Sequence, residues 1–336
     1  MLNEAVSQPV RLPEISQLTH KKILLIGIGG GGDILGCLPL ANYLQERKNN
    51  VIMAGLSWKR KDYDPQAGPR RIDEFKNIRK YNSAVGWVNE KTRTIKGYKH
   101  IEADLIKLVE APIITISINA GFRKTFQGVK QFVKKEKIDL VIGIDVGGDV
   151  LLKGDESTVR SPICDAIILA VLAHLPDTYL GVIGLGADGE LPLSDFIKRF
   201  ELIKKEQGFI GCRNFSNRWW INLKNIIDQA KTESSRALVS EIIKHPEKER
   251  ELTALTINRN KAINQLDNFK ITKIDLRSKT RIGELSILTC LFFFFKPKVV
   301  YRLNLYSWYI ERFASVWSLR KEMNRRGLTT EIDEGN

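Results

Sequence analysis

Cysteine and histidine are scarce in this chain of 336 residues, with four of each. Cys37, Cys164, Cys212 and Cys290 form no CxxC pair, and His20, His100, His174 and His245 are equally scattered. Neither a disulfide framework nor a zinc site is therefore written into the sequence, and reduced core thiols of a cytoplasmic protein are expected. Long apolar runs are missing as well. The longest, Ile287–Phe295, is interrupted by Thr289 and falls far short of the roughly 20 residues that a membrane span needs. The N-terminal stretch MLNEAVSQPVRLPEISQ is polar and has no signal-peptide core. No repeat with a period of about 20 to 50 residues is found, which excludes a solenoid.

Acidic residues are outnumbered, 39 Asp and Glu against 53 Lys and Arg, and the surplus is uneven. Residues 198–336 hold 27 Lys and Arg against 16 Asp and Glu, so +11 of the net +14 lies there. A basic half of this kind attracts polyanions or reflects a lysine-rich proteome, and nucleic acid is the less favoured partner. With 43% hydrophobic and 27% charged residues the chain can bury a sizeable core.

What the sequence does contain is one pattern three times: a buried strand, a glycine-rich turn and an acid. It occurs as ILLIGIGGGGDILG at Ile23–Gly36, LVIGIDVGGDVLL at Leu140–Leu152 and LGVIGLGADGELPL at Leu180–Leu193. Around these turns strands are expected over 22–28, 51–56, 113–117, 138–144 and 179–185. Helices are expected over 34–47, 122–136, 162–175 and 193–207. Between the second and third strands the reading is a loop at 57–71, a short helix at 73–81, a small hairpin within 82–99 and a helix at 100–110. Strand and helix in alternation imply an α/β fold, a Rossmann-like, doubly wound and mostly parallel sheet. That core is assigned to residues 1–208. Residues 209–336 read as a helical C-terminal insertion or cap that completes the same fold. It has helices at 214–244 and 246–266, a strand at 269–276, a long apolar strand or buried helix at 283–295, and a closing helix at 305–326.

In an open parallel sheet, ligands bind beyond the carboxyl ends of the strands, where all three turns are expected to lie. In the first turn, Gly27, Gly29 and Gly32 satisfy GxGxxG, and Gly29, Gly30, Gly31 and Gly32 could cradle an anion. Yet the acid expected at the end of the second strand is replaced by Ser57, Trp58, Lys59, Arg60 and Lys61, and Asp33 would repel a pyrophosphate that no cation bridges. NAD(P) is thus the alternative cofactor, and Asp33 is either a metal ligand or a helix cap. The second turn places Asp145 and Asp149 about Gly147 and Gly148, a spacing that suits Mg²⁺ or a hydroxyl-rich ligand, or simply a tight turn. Behind it, Arg160 could pair with an anion, Ser161 reads more readily as a helix cap than as a nucleophile, and Asp165 is a secondary candidate. The third turn offers Gly186, Asp188 and Glu190, one acid for metal and the other as base. Arg70, with Arg71 in DYDPQAGPRR, could clamp a phosphate or cover the crevice as a surface loop. Arg218, Trp219, Trp220 and Lys224 form a basic aromatic group that could stack bases, although paired tryptophans more often anchor a core.

These motifs together resemble an uncharacterised, mainly archaeal family of unknown function. It shares the GIGGGGD turn (Gly27–Asp33), the DP..GPR loop (Asp64–Arg70), the GIDVGGD turn with SP..DA behind it (Gly143–Asp149, Ser161–Ala166), the GADGE turn within Gly181–Glu190, and the closing RRGLTTEID (Arg325–Asp333). The resemblance implies the fold and the site and names no reaction. The expected function is that of a small-molecule enzyme that binds a phosphorylated or nucleotide-like ligand. Asp33, Asp145 and Asp149 would hold Mg²⁺, while Asp149, Asp188 and Glu190 carry hydrolysis or group transfer. The alternatives are an NAD(P)-binding protein and a non-catalytic nucleotide or RNA binder. A homo-oligomer is compatible with the sequence.

Overall fold

The computed structural model describes residues 15–29, 32–59, 68–156, 159, 162–187, 189–190, 192–214, 226, 272–275 and 282–328. The expected helices at 214–244 and 246–266, with Arg218, Trp219, Trp220 and Lys224, lie outside the described residues, as do Gly30, Gly31, Asp64, Arg160, Ser161, Asp188 and the tail beyond 328.

Nine strands form one sheet: β1 Lys22–Gly27, β2 Asn50–Leu56, β3 Arg79–Lys80, β4 Val85–Trp87, β5 Ile113–Ile116, β6 Leu140–Val146, β7 Thr178–Ile183, β8 Phe209–Arg213 and β9 Phe292–Phe295. Their spatial order is β8-β9-β7-β6-β1-β2-β5-β4-β3. The central five, β7-β6-β1-β2-β5, pair in parallel. Antiparallel strands extend this block at both edges. The protein is thus an α/β fold on a mixed sheet with a parallel centre. All central strands are buried along nearly their whole length, as the continuous apolar runs ILLIG, VIMAGL and LVIGIDV require.

The described helices are α1 Asp33–Glu46, α2 Ile101–Leu105, α3 Gly121–Lys135, α4 Pro162–His174, α5 Leu193–Lys205, α6 Pro297–Arg302 and α7 Val316–Arg325. From β1 the chain passes through α1 to β2 and then to β5 on one side. It then returns across β1 to β6, and through α4 to β7 on the other. β1 and β6 are adjacent, with Gly27 opposite Ile144, and their connections leave in opposite directions along the sheet. In parallel sheets, such a point beyond the carboxyl ends of two adjacent strands is the usual ligand position.

Several expected elements differ from those observed. The helix expected at 73–81 is a 3₁₀ turn, Ile72–Glu74, followed by two short strands, because Asn77 takes a left-handed conformation (φ 60°) that a helix cannot pass through. Asn77 is held there by its carbonyl, which accepts from the Thr92 hydroxyl. The two strands within 82–99 do not pair with each other: Val85–Trp87 joins the main sheet beside β5, while Arg93–Thr94 pairs with Phe75–Lys76. The run expected as one element at 283–295 is cut in two by a 3₁₀ turn, Ile287–Cys290, whose start is capped by Ser286 accepting from the Leu288 amide. The closing helix at 305–326 also breaks. Asn304 caps a first 3₁₀ turn, Phe313 is extended, and Ser315 caps α7.

Candidate functional site

At the end of β1 the chain turns so closely that α1 rests on the strand: a Cβ on Gly27 would lie 2.3 Å from the Ile34 amide nitrogen. Helix α1 begins at Asp33, whose side chain turns back to accept from the Gly29 amide at 2.7 Å. The loop is thereby folded over its own acid. At the end of β6, Asp145 does the same for the second turn, its Oδ2 accepting from the Gly148 amide at 2.8 Å while Gly147 and Gly148 take positive φ. Asp149 follows as the first residue of a 3₁₀ turn, Asp149–Leu151.

The third member comes from α4. Pro162–Leu172 is buried throughout, and Asp165 is its single charged residue, 3% exposed. One carboxylate oxygen from each of Asp33, Asp145 and Asp165 lies within 4.8 Å of the others. Asp165 Oδ1 accepts no hydrogen bond, although its surroundings exclude water. The Asp149 carboxyl is its nearest charged neighbour in effect, and the two buried acids are placed to share a proton. Burial above all, then the charges of Asp149, Asp145 and Asp33, push the Asp165 carboxyl well above the usual range. Asp149 and Asp165 also line a small cleft with Gly154, Pro162, Asn304 and Tyr306. Cys37, one turn into α1, is inert by comparison: burial and the neighbouring Asp33 raise its thiol, and its Sγ donates to the Asp33 carbonyl.

Four glycine amides of the described turns, those of Gly29, Gly147, Gly148 and Gly186, are occupied within the protein. Gly29 donates to Asp33, Gly148 to Asp145, Gly147 to the Ile183 carbonyl and Gly186 to the Gly147 carbonyl. This last bond ties the third turn to the second. Gly186 is needed there for a close approach, since a Cβ would lie 2.3 Å from the Glu284 carbonyl oxygen. These amides present no open nest for a bare phosphate.

Of the residues singled out from the sequence, Asp33 and Asp145 meet at one point, and Asp149 joins them through Asp165. Glu190 is buried on the third turn and is not a member of the three-carboxylate group. Arg70 is buried one strand away, held by its backbone at the ends of β2 and β5. Its amide donates to the Ser57 carbonyl, and its carbonyl accepts from the Ser57 and Ser117 hydroxyls at 2.6 Å each. Asp165 was the member that spacing alone underrated. Its signal was compositional, a lone acid in the otherwise apolar PICDAIILAVL, where a carboxylate has no reason to be buried unless it is used.

Residues 24–246 match the family model described as protein of unknown function (DUF1152). The chain belongs to this family. Asp33, Asp145, Asp149 and Asp165, and the three glycine turns, fall inside the matched segment of this DUF1152 protein. No curated protein and no solved structure matches the chain. Among the described residues, no helix is long and apolar enough to cross a membrane.

Proposed function

We propose that this DUF1152 protein is a small-molecule enzyme that binds a phosphorylated or nucleotide-like ligand at the β1/β6 crevice. It would carry out Mg²⁺-assisted hydrolysis or group transfer there. The strand order β5-β2-β1-β6-β7 fits a Rossmann-like, doubly wound sheet, in which this gap is the expected ligand position, and residues beyond 209 then serve as insertion and cap.

The observation that carries the reading is the convergence of Asp33, Asp145 and Asp165 from three separate elements, beside glycine amides that already have acceptors. A phosphate entering such a crevice is recognised through a cation held by the carboxylates, not through bare backbone N–H groups. The same feature disfavours NAD(P), because Asp33 occupies the helix start at which a pyrophosphate would sit. Asp149, beside the cluster and partnered by Asp165, is suited to proton transfer.

The test is a thermal-shift screen of nucleotides and sugar phosphates with and without Mg²⁺. A Mg²⁺-dependent rise in melting temperature is expected for at least one phosphorylated ligand, and its loss in Asp149→Ala. Stabilisation by none of them, or an Asp149→Ala variant that binds as well as wild type, would refute the proposal.

A further inference from the structure

We infer that Asp33, Asp145 and Asp165 form a preassembled seat for one small, hard divalent cation of the Mg²⁺ or Mn²⁺ class, kept clear by Gly29. The inference deepens the reading of the crevice as cation-bearing but does not depend on which anion, if any, enters it.

Three observations combine. First, the donor set is oxygen only and supplied by three rigid elements, with ligand atoms within 4.8 Å of one another. An octahedral ion with bonds of about 2.1 Å places its ligand oxygens about 3 Å apart when adjacent and about 4.2 Å apart when opposite, so the seat closes with small side-chain shifts. Nitrogen or sulfur donors that would favour zinc are not in the group.

Second, Asp165 Oδ1 is a buried oxygen with no hydrogen-bond partner, and it faces the same point beside Gly29 as Asp33 Oδ2. An added Cβ on Gly29 would lie 2.8 Å from this oxygen and 2.7 Å from Asp33 Oδ2. Both oxygens therefore face one spot that only the missing side chain of Gly29 leaves open. A buried oxygen without a partner costs free energy that a metal bond would offset.

Third, each ligand is held in place by the protein. Gly29 fixes Asp33, Gly148 fixes Asp145, and Asp165 is set in the buried face of α4 beside Asp149. Three protein ligands leave about half of an octahedral shell for water or for oxygens of a substrate.

The experiment is a titration of the metal-stripped full-length protein with Mn²⁺ alone, free Mn²⁺ being followed by electron paramagnetic resonance. One Mn²⁺ per chain is expected, displaced by excess Mg²⁺. Asp165→Asn should weaken binding by about tenfold or more. Gly29→Ala removes no charge and should weaken it comparably, because its methyl group enters the seat. Thermal melts of both variants without metal establish that they are folded, and Gly29→Ala keeps the inference testable should Asp165→Asn fail to fold. Wild type without a Mn²⁺ site, or folded variants that bind Mn²⁺ as wild type does, would overturn it. Mn²⁺ binding in a protein that no phosphorylated compound stabilises would leave the seat standing and remove the anion reading.

Discussion

Gly27 and Gly29 both belong to the GxGxxG match, yet they do different work. Gly29 leaves room between two carboxylate oxygens, which are movable ends of side chains, whereas Gly27 leaves room for backbone: Ile34 N at 2.3 Å and Asp33 C at 2.6 Å from its notional Cβ. A methyl group at Gly27 must push α1 off β1. Gly27→Ala is therefore expected to destabilise the fold by about 1–3 kcal/mol or more, the usual cost of overpacking, and to displace Asp33 as well. Urea denaturation measures the first effect, and Mn²⁺ affinity the second. A Gly27→Ala protein with the wild-type urea midpoint would show that the helix yields more easily than this packing implies. The fingerprint was legible in the sequence, but its chemistry was not. Spacing alone does not tell a glycine that admits phosphate from one that admits a helix or a metal ligand. Asp33 and Asp145 could be read from their turns, whereas the meeting of Asp165 with them depends on how α4 crosses the end of β6.

Among the elements, the alternating centre was readable because buried parallel strands are continuous apolar runs and the helices between them are long. The edges were not, since their short strands rest on side-chain caps and left-handed residues such as Asn77 instead of periodicity. Contacts between elements follow the same division. Arg199 on α5 donates from Nε to the Leu151 carbonyl at 2.7 Å and from Nη2 to the Leu303 carbonyl at 3.1 Å. It thus fastens the end of the Asp149 turn to the C-terminal segment. Arg199→Leu should cost about 1.5–3 kcal/mol, the usual worth of charged hydrogen bonds to partly buried carbonyls, and a chemical-denaturation curve will read it. An unchanged midpoint would mean that water replaces the guanidinium without loss.

Helix α7 supplies a pH prediction. Hydrogen bonds from Arg325 and Arg326 hold the Glu322 carboxyl down at about 2 from its ordinary 4.5. A depressed folded value means that the contribution is complete above pH 4.5 and fades as pH falls toward 2. Wild type should melt above Glu322→Gln at pH 6, and the gap should narrow at pH 3 and in high salt. A gap that widens on acidification contradicts the assignment.

For the whole molecule, the decisive strand is β9. The sequence shows Phe292–Phe295 as four consecutive phenylalanines without revealing where they go. In the structure all four are buried, and the strand is inserted antiparallel between β7 and β8, with Leu180 opposite Phe295 and Cys212 opposite Phe293. Phe293 packs against Phe196, Phe200 and Phe209, joining α5 and β8 to a segment more than eighty residues further along the chain. Without β9, the edge of β7 and the aromatic face of α5 would be open to solvent, an unpaired and strongly apolar strand edge of the kind that aggregates. A chain truncated after residue 208 should therefore be insoluble, or lack the near-ultraviolet circular dichroism of packed aromatics. In the full chain Phe293→Ala should cost about 3–5 kcal/mol. A soluble, cooperatively melting 1–208 fragment would show instead that the parallel centre holds together alone, with β9 a late addition to a finished core.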